Sequence, residues 1–210
     1  MNNKIACCIS GRPSNQILEH LRFLIKFKNK MDFFIFFWDT IDAQTKNKIN
    51  TLLQPKSIVY FKPMFFSFDA IHKEPDKKDN KINALSMFFG IATAQQLRQS
   101  FEQRTNKKYD LVIRFRYDIY FFSEFDDIIK QVLKIIDNDS LIFPFEYHHI
   151  GICDQLWFGR SRIMDKFSGL FDFCREQRNG RAGISLKLVS VITILLGKVN
   201  HKAVLSRRRK

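Results

Sequence analysis

At 210 residues with 45% hydrophobic content, the chain is long enough to bury the core of one domain with a small appendage and too apolar to be disordered. Its formal charge of +14 favours polyanions, anionic lipid or phosphorylated small molecules. Its Lys and Arg residues are scattered, however, and the dense run is confined to residues 207–210, so charge alone selects no partner. No apolar stretch reaches the roughly 18 residues a spanning helix needs.

The opening residues 1–4 lead into an apolar run broken by Gly11-Arg12-Pro13, unlike a secretory leader, so a cytoplasmic location is expected. Cys7, Cys8, Cys153 and Cys174 include no C-x-x-C pair and read as free, buried thiols in a reducing compartment. With 23 Phe, the core must be rich in phenylalanine.

Residues 5–9 predict a buried strand, after which Ser14 is expected to cap a helix carrying Ile17, Leu18, Leu21, Leu24 and Ile25 on one face. A second strand is expected over 33–38. Thr40 can cap the helix that follows it, which Pro55 ends near Leu53, and 58–61 predicts a third strand. Residues 62–80, with Pro63, Pro75 and a charged run, read as a loop, and loops of that length in a compact domain are often functional. A long helix over about 81–104 follows, with Leu85, Phe88, Phe89, Ala92, Leu97 and Phe101 as its apolar stripe. The longest strand is expected over 111–122, then a helix opening at Asp126 and short strands at 141–143 and 156–158. A last helix, capped by Ser161, should run to Cys174 and end by Gly180. Such alternation predicts an α/β fold: a mostly parallel sheet with helices on both faces and its ligand cleft outside the carboxyl ends of the strands.

The candidate chemistry sits at those strand ends. Ser10-Gly11-Arg12-Pro13 joins the first strand to the first helix, where a glycine admits a ligand close to the backbone and Arg12 can grip a phosphate; the alternative is a simple turn. Asp39, after the second strand, reads equally as a ribose or base contact and as a helix N-cap. In the run from Ile113 to Ile119, alternation places Arg114, Arg116 and Asp118 on one face and Ile113, Phe115, Tyr117 and Ile119 on the other. Two cations and a carboxylate on a strand buried on both faces need partners, from one another or from a phosphorylated ligand with a metal. The alternative is an edge strand with one solvated face. Asp137-Asn138-Asp139 has the form D-x-D but reads as an ordinary turn. His148, His149, Cys153 and Asp154 match no zinc spacing, and Asp154-Gln155 at the entrance of an apolar run reads as facing a cleft.

Taken in order, "KIACCISGRP", "FFIFFWDT", "NALSMFFGIATAQQL", "YDLVIRFRYDIYF" and "CDQLWFGRSRIMDKFSGLF" resemble a family of small surface-polysaccharide glycosyltransferases of the lipopolysaccharide or capsule type. The resemblance covers residues 4–175, and its most specific elements are the R-x-R-x-D strand and the D-Q…F-G-x-S segment. It implies a GT-A-like domain over 1–180; residues 181–210 read, on their own pattern, as an apolar segment and a basic tail of uncertain role. It also implies nucleotide-sugar contacts for Gly11, Arg12, Asp39, Arg114 and Arg116. Asp118 would hold a divalent metal, Mn²⁺ or Mg²⁺, on the diphosphate, and Asp154 would act as base or acceptor-side carboxylate. The implied partners are a nucleotide-sugar donor and a glycan or lipid-linked acceptor. The sequence departs from the family where Arg12 precedes Pro13, since the family reads Gly-x-Pro-Arg, and again after residue 178.

Residues 184–196, apolar and flanked by basic residues, could lie on the anionic inner surface of a membrane or form a last core element. Two other functions stay open on the sequence: a basic nucleic-acid-binding module, disfavoured because the aromatics fall in core-like runs, and an inactive nucleotide-binding homologue.

Overall fold

A strand covered on both faces can be apolar at every position, and the runs IACCISG and MDFFIFFW meet that condition over most of their length. The computed structural model describes residues 3–64, 75–119, 125–143, 146–147, 151–152, 155–169 and 200–203. In chain order they form β1 (Ile5–Gly11), α1 (Ile17–Leu21), β2 (Met31–Trp38), α2 (Ala43–Leu53), β3 (Ser57–Phe61), α3 (Pro75–Thr105) and β4 (Leu111–Arg116). There follow α4 (Phe125–Ile135), β5 (Ser140–Phe143), β6 (Glu146–Tyr147), β7 (Gly151–Ile152), β8 (Leu156–Gly159), α5 (Ser161–Asp165) and β9 (Asn200–Ala203). Seven strands make one sheet in the order β3-β2-β1-β4-β8-β5-β9, and β6 and β7 form a separate antiparallel pair. Pairings in the large sheet are parallel except where β8 meets β4 and β5.

Helices cover both faces. Cys7, Ile9, Ile113 and Phe115 point to the face where Ile17 and Leu21 of α1, Ile49 and Leu53 of α2, and Ile128, Ile129 and Val132 of α4 are buried. Ala6, Cys8, Phe34, Phe36 and Val112 point to the other face, against Phe88, Ile91 and Ala94 of α3 and Ile163 and Met164 of α5. Burial pushes the Cys8 thiol up to about 12 and raises that of Cys7 as well, so both stay protonated, apolar core groups.

Several local expectations change for physical reasons. Asp42, not Thr40, caps α2: its carboxylate accepts from the Thr45 amide at 2.8 Å and the Thr45 hydroxyl at 2.9 Å. Ser14 does not cap α1, whose N-cap is Gln16 without a side-chain bond. The helix tightens after one turn into a 3₁₀ segment over Arg22–Phe27. Residues 75–80, read as loop, begin α3, with Pro75 at the first helical position, where its missing N–H costs nothing. Ser161 does not cap α5; Arg160 is the N-cap, and the Ser161 hydroxyl turns inward to donate to Glu102 at 2.7 Å. The helix then tightens into a 3₁₀ turn over Lys166–Gly169. β4 stops at Arg116, so the longest strand among the described residues is β2, and Tyr117 and Asp118 form a turn. Residues 120–124, 170–199 and 204–210 lie outside the described residues, including the apolar run 184–196 and the basic run 207–210. Among the described residues no helix is long and apolar enough to cross a membrane.

Candidate functional site

β1, β2 and β4 run in the same direction, and a cleft of about 460 Å³ opens where they end. That edge is where open α/β sheets take their ligands. Because β8 is antiparallel, its amino end arrives at the same edge, with Leu156 opposite Phe115. Gln155 is therefore delivered to the rim: its carbonyl accepts from the Arg116 amide at 2.8 Å and from the Arg114 guanidinium at 3.3 Å.

The cleft has two kinds of wall. Arg12, Arg114, Arg116 and Asp118 form the charged one; Trp38, Pro63, Met64 and Met87 supply the apolar one. Five of the residues singled out in the sequence thus meet in one cleft: Gly11, Arg12, Arg114, Arg116 and Asp118. β4 lies in the middle of the sheet, between β1 and β8, so the reading of a solvated edge strand is excluded. The alternation holds along β4 as well, with Ile113 and Phe115 in the core of the opposite face, while Tyr117, just past the strand, packs into that core and also borders the cleft.

The two arginines are held differently. Arg114 is only 1% exposed and lies over the Trp157 ring, 5.7 Å from its centroid, besides its bond to Gln155. Arg116 is part-exposed and pairs with Asp118 at 2.6 Å. Asp118 sits in the turn beyond the strand end, reaching into the cleft rather than sheltering within the pleat.

Gly11 is explained by its neighbour. A Cβ there would lie 2.6 and 2.8 Å from two carbons of the Tyr117 ring. That ring is wedged edge-on against Phe37 and His20, so it cannot easily give way. Gly90 of α3 also lines the cleft, and a Cβ there would stand 3.1 Å from Phe36; the glycine lets the helix come down close on β2.

Asp39 does not line the cleft. Its carboxylate pairs with Lys46 of α2 at 2.5 Å and it caps no helix, so neither sequence reading describes its observed partner. Asp154, His148, His149 and Cys153 lie outside the described residues. The D-x-D of residues 137–139 precedes β5, whose Leu141 shares its β8 partner Gly159 with Val112 at the start of β4. That places it at the opposite edge of the sheet from the cleft. There Asp137 accepts from the Asp139 amide at 3.0 Å, a turn contact, and Asp139 pairs with Arg162.

Two features escaped the sequence reading. Tyr117, assigned to the core face, donates its hydroxyl to the Arg12 carbonyl at 2.6 Å; a polar tip on an apolar ring was the available signal. Gln95, Arg98 and Glu102 are buried on α3 as a polar network. Arg98 donates to Gln95 at 3.1 Å, Glu102 at 2.8 Å and Asp165 at 2.5 Å, while Glu102 accepts from Ser161, Lys108 and the Tyr109 amide.

A divalent cation such as Mg²⁺ is commonly held by one or two carboxylates together with substrate phosphates. Among the described residues, Asp118 is the cleft's one carboxylate, and no cluster of three His, Cys, Asp or Glu forms a metal cage. The donor set fits an ion shared with a bound diphosphate rather than one held by side chains alone.

No protein-family model matches the chain, and no curated protein matches it. Among solved structures, it superposes on the glycosyltransferase GlyE of Streptococcus pneumoniae TIGR4 with a TM-score of 0.50 at 9% identity, over 97% of this chain and 45% of GlyE. Mouse xyloside xylosyltransferase 1 aligns with a TM-score of 0.46 at 8% identity, over 96% of this chain and 84% of that one. A glycosyltransferase involved in glycosylation of the major capsid of PBCV-1 aligns with a TM-score of 0.37 at 8% identity, over 91% and 73%. The chain spans less than half the length of GlyE, and what that likeness shows is the fold: a mixed α/β, GT-A-like sheet.

Proposed function

We propose that the protein is a glycosyltransferase moving a sugar from a nucleotide-sugar donor to a glycan or lipid-linked acceptor in surface-polysaccharide synthesis. The observation that carries this reading is the cleft itself. The exposed Arg12, the part-exposed Arg116 and one carboxylate, with the buried Arg114 also in the lining, face an apolar wall with Trp38 at the carboxyl ends of the strands, on a GT-A-like fold. Guanidiniums suit a diphosphate, which they can engage through paired hydrogen bonds, and Trp38, Met64 and Met87 suit a base or sugar face.

In the transfer, the bond from the anomeric carbon to the diphosphate oxygen breaks and its electron pair leaves with the diphosphate. The acceptor hydroxyl oxygen bonds to that carbon and gives up its proton, in this proposal to Asp154. Arg12 and Arg116 offset the charge of the departing diphosphate, and Asp118 would hold a Mn²⁺ or Mg²⁺ ion, which would supply further charge neutralisation. Gly11 borders the phosphates, and Asp39, just past β2 outside the cleft lining and paired with Lys46, is assigned to the nucleoside. The basic run at residues 207–210 suits an acceptor at an anionic membrane surface.

The test is thermal unfolding of the full chain with a panel of nucleotide sugars and with UDP, GDP and CDP, with and without Mn²⁺. One of them should stabilise the fold, by about 2.7 kcal/mol at 100 times its dissociation constant, and Mn²⁺ should enlarge the shift. No shift with any of them, alongside tight binding of random DNA, would replace this reading with a nucleic-acid one.

A further inference from the structure

An arginine that must meet a diphosphate is most effective when its backbone is fixed beforehand, because ordering a loop on binding costs affinity. Arg12 follows the last residue of β1, where the ladder with β2 and β4 has ended, and its side chain is exposed. Two hydroxyls from other strand ends hold this stretch. Tyr117, after β4, donates to the Arg12 carbonyl at 2.6 Å; Thr40, after β2, donates to the Pro13 carbonyl at 2.7 Å. The Tyr117 ring is 8% exposed and fixed by edge contacts with Phe37 and His20, each at 5.9 Å, and it also fills the space a Gly11 side chain would need. The phenol is protonated at neutral pH at its ordinary pKa of about 10, and burial raises that pKa further, so the hydroxyl is a donor. Its chain neighbours are Arg116 and Asp118, so one rigid residue ties together the two segments that build the charged wall, 105 residues apart in sequence.

Resting on the nucleotide reading above, we infer that Tyr117 and Thr40 are positioning residues whose hydroxyls lock the loop after β1 and present Arg12 to the diphosphate before ligand arrives. They act through Arg12, so their removal affects the phosphate part of a ligand and not its nucleoside part.

The experiment titrates the full chain calorimetrically with UDP, GDP and CDP and with uridine, guanosine and cytidine. For the diphosphate that binds, Tyr117→Phe should weaken affinity about tenfold, the scale of one well-placed hydrogen bond. The matching nucleoside should bind as before. Thr40→Val should act in the same direction, and it decides the matter if Tyr117→Phe does not fold. In an Arg12→Ala background, Tyr117→Phe should have no further effect, because the two losses are one. Unchanged diphosphate affinity in both variants, an equal loss for the nucleoside, or additivity with Arg12→Ala would overturn the inference. If the unaltered chain binds none of the three diphosphates, the nucleotide reading itself falls and takes this role with it, a result visible before any variant is made.

Discussion

Arg114 and Arg116 stand two residues apart on one face of β4, and their surroundings predict opposite consequences of removal. Arg116 pairs with Asp118 near the surface, the two side chains being 31% and 36% exposed. Such pairs contribute about 1 kcal/mol or less. Arg116→Ala should therefore leave urea stability within about 1 kcal/mol of the unaltered chain. Diphosphate affinity should nevertheless fall about tenfold or more, the scale of a charge-assisted hydrogen bond. Arg114→Ala instead removes a buried stem from Trp157 and a donor from the Gln155 carbonyl, and should cost about 2 kcal/mol or more in urea unfolding. Equal stability losses in the two variants would show that their environments do not govern them. Asp118→Asn keeps the shape and removes the charge. The nucleotide-induced rise in melting temperature should persist without metal, and the additional rise with Mn²⁺ should vanish.

Helix α3 belongs to two regions at once: Ser86, Met87 and Gly90 line the cleft, while Gln95, Arg98 and Glu102, further along, are buried beside α5 and the start of β4. Its apolar stripe was legible, since Phe88 and Ala92 fall at helical spacing. The buried polar stripe was not, because hydrophobic periodicity registers apolar residues and treats Arg98 as surface. The same limit hid the direction of β8: a four-residue apolar run carries no mark of whether it pairs parallel or antiparallel. The position of the cleft was legible, because strand-helix alternation fixes which edge is open, and so was the shared face of Arg114 and Arg116. The partner of Asp39 was not, since Lys46 reaches it from the second turn of α2, after a cap that sequence reading placed two residues early. The α3 network makes its own prediction. Arg98→Met leaves Glu102, 2% exposed, without its principal cation and Asp165 without its donor. Removing one partner of a buried pair costs about 3–5 kcal/mol, to be read from urea unfolding. A loss below about 1 kcal/mol would mean water reaches the site.

On the scale of the whole molecule, the charge of +14 and the cleft should produce two separable kinds of anion binding. Attraction of random DNA to scattered lysines is a counterion effect and should fall by orders of magnitude between about 50 and 200 mM salt. Diphosphate binding in a partly enclosed cleft is less screened and should weaken far less over that range, as parallel titrations would show. Equal salt sensitivity would place the diphosphate on the open surface. The sheet order also bears on how the molecule assembles. β1, β2 and β3 are neighbours in both chain and sheet, whereas β4 must find β1 across α1, β2, α2, β3 and α3. Closing so long a loop is entropically costly, and distant pairings slow folding. The cleft cannot exist before that step, because Arg12 and Trp38 arrive with the early strands and Arg116 and Asp118 only with β4. A bound nucleotide therefore acts as a clasp on the sheet's most distant pairing in sequence, β1 with β4. In hydrogen exchange it should suppress openings in which β4 leaves β1, while fraying of α2 and of the sheet edge at β3 proceeds at its own pace.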